Sequence, residues 1–75
     1  MKIINYGDKT SRYTLIISKA KRESRNKPFE LICFSSNSLE ELRTYLYKFI
    51  INHPINSNFV LDLDIFDYRE CKYIK

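Results

Sequence analysis

Acidic residues near the end of the chain are the first group that could do chemistry. Asp62 and Asp64 stand two residues apart, and Asp67 and Glu70 follow shortly after them. Positions two apart on a strand point to the same face, so the first two carboxylates could bind Mg²⁺ or Mn²⁺, as in a small metal-dependent nuclease. Neither Glu70 nor His53, the only histidine, has a spacing diagnostic of such a site. We therefore expect a solvated face, salt-bridge partners or an acidic contact surface, with no catalytic residue, metal or cofactor.

The second group is basic and lies within nine positions of the first half of the chain. We name it the basic loop, and its residues are Lys19, Lys21, Arg22, Arg25 and Lys27. A basic hairpin tip beside a sheet can follow a phosphate backbone, and two-stranded ribbons can enter a major groove. The chain carries no RNP-type aromatic motif, zinc ligands or GXXG loop to support nucleic-acid binding. Solvated charges, a nucleic-acid contact and a contact with an acidic protein surface remain alternatives for this loop.

Charge is unevenly distributed along the chain, whose net charge is +4. Residues 1–28 hold eight Lys and Arg against two Asp and Glu, whereas residues 29–75 hold five against seven. Such an asymmetry can steer a charged partner but does not determine a fold.

Length and composition exclude several classes of protein. The composition is 44% hydrophobic, which is too apolar for a disordered tail. The length of 75 residues predicts one domain over residues 1–75 rather than a multi-domain enzyme. No apolar run is long enough to cross a membrane, so we expect a cytoplasmic protein without membrane contact. Cys33 and Cys71 form no CxxC motif, and we expect both to be reduced, with a disulfide between them as the alternative.

The local patterns predict three strands followed by a helix. The strands are residues 2–7, 12–19 and 29–34, rich in β-branched and aromatic residues. Ser38 and Glu41 have the spacing of a capping box, which predicts a helix start at Ser38 and a stop at Pro54. The apolar stripe of this helix recurs at helical spacing through Leu39, Leu42, Tyr45, Leu46, Phe49 and Ile50.

A fourth strand follows the helix, because apolar residues alternate over residues 59–66. The tail, residues 67–75, fits either a strand extension or a short helical turn. The fold class is therefore α+β, β-β-β-α-β: a small antiparallel sheet of about four strands with one helix packed across one face. We expect the first three strands to form a meander, since consecutive strands are usually neighbours.

Apolar residues occupy both the odd and the even positions of the predicted strands, so both faces of the sheet carry them. One helix can cover only one of these faces. We assign to the helix-covered face Tyr13, Leu15, Ile17, Phe29, Leu31, Cys33, Phe59, Leu61, Leu63 and Ile65. The opposite parity carries Ile4, Tyr6, Ile16, Ile32, Phe34, Val60 and Phe66. Such a patch predicts a contact surface, with these five residues as its binding site: Tyr6, Ile16, Ile32, Phe34 and Val60. The alternative is that the tail covers this face through Tyr68, Tyr73 or Ile74, and Tyr47 with Ile51 would form a smaller apolar pair on the helix.

These features favour a non-enzymatic protein-binding module, an inhibitor or adaptor that acts by surface occlusion. Short chains rich in Ile, Asn, Lys and Tyr fit an AT-rich genome and are frequent among phage or mobile-element accessory proteins, including anti-CRISPR inhibitors. We expect a protein partner, with a nucleic-acid-handling protein or a nucleoprotein as candidates, and self-association as a homodimer as an alternative use of the face. The alternative function is a sheet-type nucleic-acid-binding domain that uses the basic loop over residues 19–27.

Overall fold

Five strands and one α-helix make up the computed structural model, which describes residues 1–52 and 58–74. In chain order the elements are β1 (Lys2–Gly7), β2 (Tyr13–Lys21), a 3-10 turn (Arg22–Ser24), β3 (Glu30–Ser36), α1 (Leu39–Asn52), β4 (Phe59–Asp67) and β5 (Lys72–Ile74). The predicted α+β class is confirmed, with five strands where about four were expected.

The strands form one mixed sheet in the order β1-β3-β2-β4-β5. Only β1 and β3 are parallel, and the other three pairs are antiparallel. The predicted meander is therefore wrong, because β3 lies between β1 and β2. At the end of β1, Gly7 has a φ of +80°, and a Cβ there would collide with the carbonyl oxygen of Ser35, so both the backbone conformation and the close approach require glycine.

The helix packs across β3 and β2 and closes the hydrophobic core. The buried members of this core are Leu15, Ile17, Ile32, Leu42 and Phe49. Around them, Phe34 stacks on Tyr45 of the helix with ring centroids 4.2 Å apart and planes 5° from parallel. The sheet thus has one covered face and one face directed away from the helix.

The start of the helix confirms the predicted cap at Ser38 and modifies its geometry. The backbone N–H of Glu41 donates to Ser38 Oγ at 3.2 Å, as a capping box requires. The Glu41 carboxylate does not return to the Ser38 N–H. Instead, Ser36 Oγ accepts from the Ser38 N–H at 3.1 Å and donates to Glu41 Oε2 at 3.0 Å. The predicted stop at Pro54 lies outside the described residues, as does His53.

An ion pair joins the start of β2 to the end of β4. Arg12 donates to both Asp67 oxygens, with Nε–Oδ1 at 3.0 Å and Nη2–Oδ2 at 2.9 Å. This hydrogen-bonded partner lowers the pKa of Asp67, whose residue is only 3% exposed, to about 2. The backbone of Arg12 adds two links, donating to Asn37 Oδ1 at 2.7 Å and accepting from the Tyr68 N–H at 2.8 Å. Asp67 is thus a structural ion-pair partner rather than a free carboxylate.

The tail adds a strand to the sheet. After a turn over residues 68–71, in which Cys71 has a φ of 52°, β5 pairs with residues 65–67 of β4. In the described part of the chain, the helix is too short and too polar to cross a membrane.

Candidate functional site

The register of the five strands decides which side chains face away from the helix. Directly paired residues lie on the same face of a sheet, and Ile17 pairs with Ile32, both of them core residues. The alternate positions therefore form the uncovered side, which we name the outer face. Its apolar members are Ile3, Ile16, Ala20, Leu31, Cys33, Val60, Phe66 and Tyr73.

Three of the five residues predicted for the binding face are on the other side of the sheet. Ile32 and Phe34 belong to the core or pack against it, and Tyr6 lies beside the helix, its ring centroid 6.0 Å from that of Tyr45. Ile16 and Val60 lie on the outer face as predicted.

The error arises in β3. Residues 31–34 are apolar without interruption, so alternation cannot orient this strand, and Leu31 and Cys33, which were predicted to lie under the helix, occupy the outer face. The same reversal moves Ile4 to the helix side and Ile3 to the outer face, because β1 follows the register of β3.

The middle of the outer face is an apolar patch on three adjacent strands. Ile16 pairs with Cys33, and Leu31 pairs with Ile3 on the edge strand. Ile16, Leu31 and Cys33 are half-buried by their neighbours, whereas Ile3 is 55% exposed.

One corner of the outer face is aromatic. The Phe66 ring contacts Tyr68 and Tyr73 edge to face, with centroid distances of 4.9 and 5.1 Å. The tail therefore packs on this corner through Tyr68 and Tyr73, as the alternative expected, while β5 extends the sheet beside β4 and does not lie across its middle. Ile74 points to the helix side, where it pairs with Ile65.

The outer face also has a distinct charge. Asp62 and Asp64 are exposed there, on β4. Among the described strand residues, no Lys or Arg lies on this face, since every strand lysine occupies a helix-side position: Lys2, Lys19, Lys21 and Lys72. The face thus combines apolar side chains with two carboxylates and would repel a phosphate backbone.

Two cysteines and a pair of hydrogen-bonded hydroxyl groups also lie near this surface. Cys33 and Cys71 are both free, so the disulfide alternative is not formed. Burial raises the pKa of the Cys33 thiol, which lowers its reactivity at neutral pH. Thr14 and Ser35 satisfy each other through a buried hydroxyl–hydroxyl hydrogen bond of 2.8 Å.

The basic loop occupies a separate place, at the tip of the β2–β3 hairpin. Lys21, Arg22, Arg25 and Lys27 are all exposed there. Lys19 differs, because it lies within β2 and holds its ammonium 5.5 Å from the centroid of the Phe59 ring. Four of the five predicted loop residues therefore form a charged tip, and Lys19 packs beside it.

A third exposed surface lies on the helix. Tyr47 is 70% exposed and Ile51 is 64% exposed, which confirms the predicted apolar pair outside the core stripe. It is smaller than the outer face.

These surfaces offer apolar side chains, two exposed carboxylates and a cluster of cations. No group of three or more His, Cys, Asp or Glu that could hold a metal ion occurs within residues 1–52 and 58–74. Comparison with family models, with curated proteins and with solved structures gives no match.

Proposed function

We propose that this chain is a non-enzymatic protein-binding module that docks through its outer face and acts by occluding a surface of its partner. The observation that carries the proposal is an apolar patch directed away from the helix that is accompanied by two carboxylates and, among the described strand residues, by no Lys or Arg. An antiparallel sheet face open to water is usually polar. Here Leu31 pairs with Ile3, and Cys33 pairs with Ile16.

The expected partner surface is complementary to this face. It is apolar at its centre, opposite the patch, and carries Lys or Arg where it meets Asp62 and Asp64. Each Å² of apolar surface removed from water contributes about 25 cal/mol, so the patch provides affinity and the carboxylates provide orientation and specificity.

The chain composition supports a narrower proposal. Its richness in Ile, Asn, Lys and Tyr favours a phage or mobile-element accessory protein that works in the cytoplasm, of the anti-CRISPR kind. A nucleic-acid-handling partner would suit the basic tip, which could approach bound nucleic acid while the outer face contacts protein.

The second candidate function is direct nucleic-acid binding through the basic loop. The exposed side chains of Lys21, Arg25 and Lys27 favour it. Because the described strand residues place no Lys or Arg on the outer face, such binding would use the tip and would depend steeply on salt.

Two variants separate these functions. Ile16→Thr with Leu31→Thr changes the outer face and keeps residues suited to strands, whereas Lys21→Glu with Arg22→Glu and Arg25→Glu reverses the tip. The wild type is used to capture a partner from the source cell, and the partner is then purified and titrated against each variant. Both variants are also titrated against bare duplex and single-stranded DNA at several salt concentrations.

The proposal expects the outer-face variant to lose the purified partner while its far-UV circular dichroism and melting stay close to wild type. The tip variant should keep binding, with slower association and a flatter salt dependence. Undiminished partner binding by the outer-face variant would overturn the proposal. Tight, salt-sensitive binding of bare nucleic acid that only the tip variant loses would establish the second function instead.

A further inference from the structure

The helix covers its own side of the sheet unevenly. It packs mainly over β3 and β2, near one end of the five-strand order. On the helix side of β4 and β5, Leu63 is 46% exposed, and Ile65 and Ile74 are half-buried. Packed helices lie about 8–10 Å apart and strands about 4.8 Å apart, so one helix covers about two strands. The sheet is therefore wide enough for a second helix over β4 and β5.

The two flanks of α1 differ in how they meet the sheet. On the flank toward β1, Tyr45 stacks on Phe34 and contacts Tyr6. On the flank toward β4, Leu39 is 40% and Ile50 is 44% exposed. This open flank and the sheet beside it form two apolar walls, which we name the side groove: Leu39, Leu46 and Ile50 on the helix, and Leu63, Ile65 and Ile74 on the sheet.

Two cations stand at the edges of the side groove. Arg43 lies on the helix wall, between Leu39 and Leu46 in sequence. Lys72 lies on the helix side of β5, two residues before Ile74. Both cations are exposed, and neither forms an ion pair with the residues that the structure describes. They are therefore available to carboxylates of a bound molecule.

Three carboxylates near these cations are directed elsewhere. Asp67 is paired with Arg12, and Glu41 accepts from Ser36. Glu40 stands two residues before the buried Leu42, which places it nearly on the opposite side of the helix. The side groove thus has apolar walls and positive edges, whereas the outer face carries carboxylates.

We propose that the side groove binds an amphipathic α-helix of a partner protein that has acidic residues on both sides of its apolar stripe. Apolar side chains at i, i+3, i+4 and i+7 of that helix contact the two walls, and its Asp or Glu residues pair with Arg43 and Lys72. A helix satisfies its own backbone hydrogen bonds, whereas an extended segment laid on the face of a sheet would leave its backbone groups unpaired.

The size of the groove favours a protein over a small molecule. The cavity between Leu39, Leu46, Ile65 and Ile74 has a volume of about 240 Å³. Sites for drug-sized ligands usually measure about 300–1,000 Å³. The cavity is thus suited to one or two side chains that project from a larger element.

The described residues of a second copy of this chain do not supply such a helix. The helix α1 buries its apolar stripe against its own sheet, and its exposed side carries the cations Arg43 and Lys48. We therefore assign the groove to a different protein. This interface is separate from the outer face, and neither proposal depends on the other.

The test titrates the chain with synthetic peptides of 14 residues, the length of α1. The acidic peptide has Leu at helical spacing, Glu on both flanks of this stripe and one Trp within it. The control peptide has the same composition in an order that breaks the stripe. Because the chain has no Trp, the emission of the peptide reports binding. The acidic peptide should bind with a Kd below about 1 mM and gain helical circular dichroism, and the control peptide should do neither.

Variants of the chain locate the bound peptide. Arg43→Glu should weaken binding of the acidic peptide about tenfold, because it removes an attraction and adds a repulsion. Lys48→Glu changes the net charge equally, about 140° around the helix, and should have little effect. Leu63→Thr should also weaken binding, whereas Ile16→Thr with Leu31→Thr on the outer face should not. Circular dichroism of each variant alone reports that it is folded.

Four results would overturn the proposal. One is an acidic peptide that does not bind up to about 1 mM. Another is an equal loss in Arg43→Glu and Lys48→Glu, which would indicate an effect of net charge alone. A third is a loss confined to the outer-face variant. The last is a dimer of the chain alone, measured by sedimentation equilibrium, that Leu63→Thr dissociates, because it would assign the groove to a second copy.

Discussion

Ile16 and Ile17 are neighbours in β2 and identical in chemistry, yet they lie on opposite faces of the sheet. Ile17 is 0% exposed beneath the helix, whereas Ile16 is half-buried on the outer face. The difference comes from the cover and not from the residue type. One face uses its apolar side chains to hold the molecule together, and the other leaves them half-buried or exposed without the helix over them.

The largest expected effect is the difference in unfolding free energy between truncation of Ile17 and truncation of Ile16. Ile17→Ala should lower the free energy of unfolding by about 2–5 kcal/mol, because it leaves a cavity in the core. Ile16→Ala should cost about 1 kcal/mol or less, the range of strand propensity, since no cover is lost. Urea unfolding followed by circular dichroism measures both. Equal costs would show that the outer face is covered as well.

The next largest effect is expected at low pH, where the ion pair between Arg12 and Asp67 should be lost. The pKa of Asp67 is about 2 in the folded protein and about 3.9 in an unfolded chain, so the folded state binds the proton more weakly. The stability that this carboxylate contributes is therefore fully present above about pH 4 and is lost as the pH falls toward 2.

The check is the melting temperature as a function of pH in wild type and Asp67→Asn. The variant should lie below wild type at pH 6, and the two curves should converge toward pH 2. Asp64→Asn on the outer face is the matched control, because Asp64 is exposed and forms no ion pair with the residues that the structure describes. A constant difference between wild type and Asp67→Asn down to pH 2 would contradict the ion-pair account.

A smaller effect is expected at the start of the helix that covers the core. Ser38→Ala removes the hydroxyl that caps the Glu41 N–H and should cost about 0.5–2 kcal/mol. Ser36→Ala should also destabilise, because Ser36 links Ser38 to the Glu41 carboxylate. Ser24→Ala, exposed at the hairpin tip, is the control. An unchanged melting temperature in Ser38→Ala would mean that the cap is not formed.

The basic tip should show the smallest effect on stability. Reversing Lys21, Arg22 and Arg25 to Glu should leave the free energy of unfolding nearly unchanged, because these charges are exposed, while it changes the rate of association with a charged partner. Stopped-flow association at two salt concentrations measures the second effect. An association rate equal to wild type at low salt would mean that the tip is only solvated.

Much of the fold was predictable from local patterns. The cap at Ser38 and the alternation over residues 59–66 each depend on neighbours in sequence, so the helix and β4 were found. The order of the strands was not, because insertion of β3 between β1 and β2 depends on pairing between distant segments. The three-residue β5 was too short to show alternation.

The candidate site was predicted only in part, because local patterns orient some strands, whereas others are oriented only by pairing with distant segments. Ile16 shares its parity with the polar Thr14 and Ser18. Val60 shares its parity with Asp62 and Asp64, and both apolar residues were assigned to the right face. Ile32 and Phe34 were misplaced because β3 is apolar on both parities, and only its register with β2 orients it. The ion pair of Arg12 with Asp67 joins residues 55 positions apart and had no local signal.

The rate of thiol alkylation in the presence and absence of the purified partner tests the outer face most directly. Cys33 lies in the middle of that face, and Cys71 lies exposed in the 68–71 turn, so one chain carries both the probe and its reference. Mass spectrometry of the two peptides gives each rate separately. Our account predicts that saturating partner slows alkylation of Cys33 strongly and leaves Cys71 nearly unchanged. An unchanged Cys33 rate in a saturated complex would contradict it and place the interaction at the tip or on the helix.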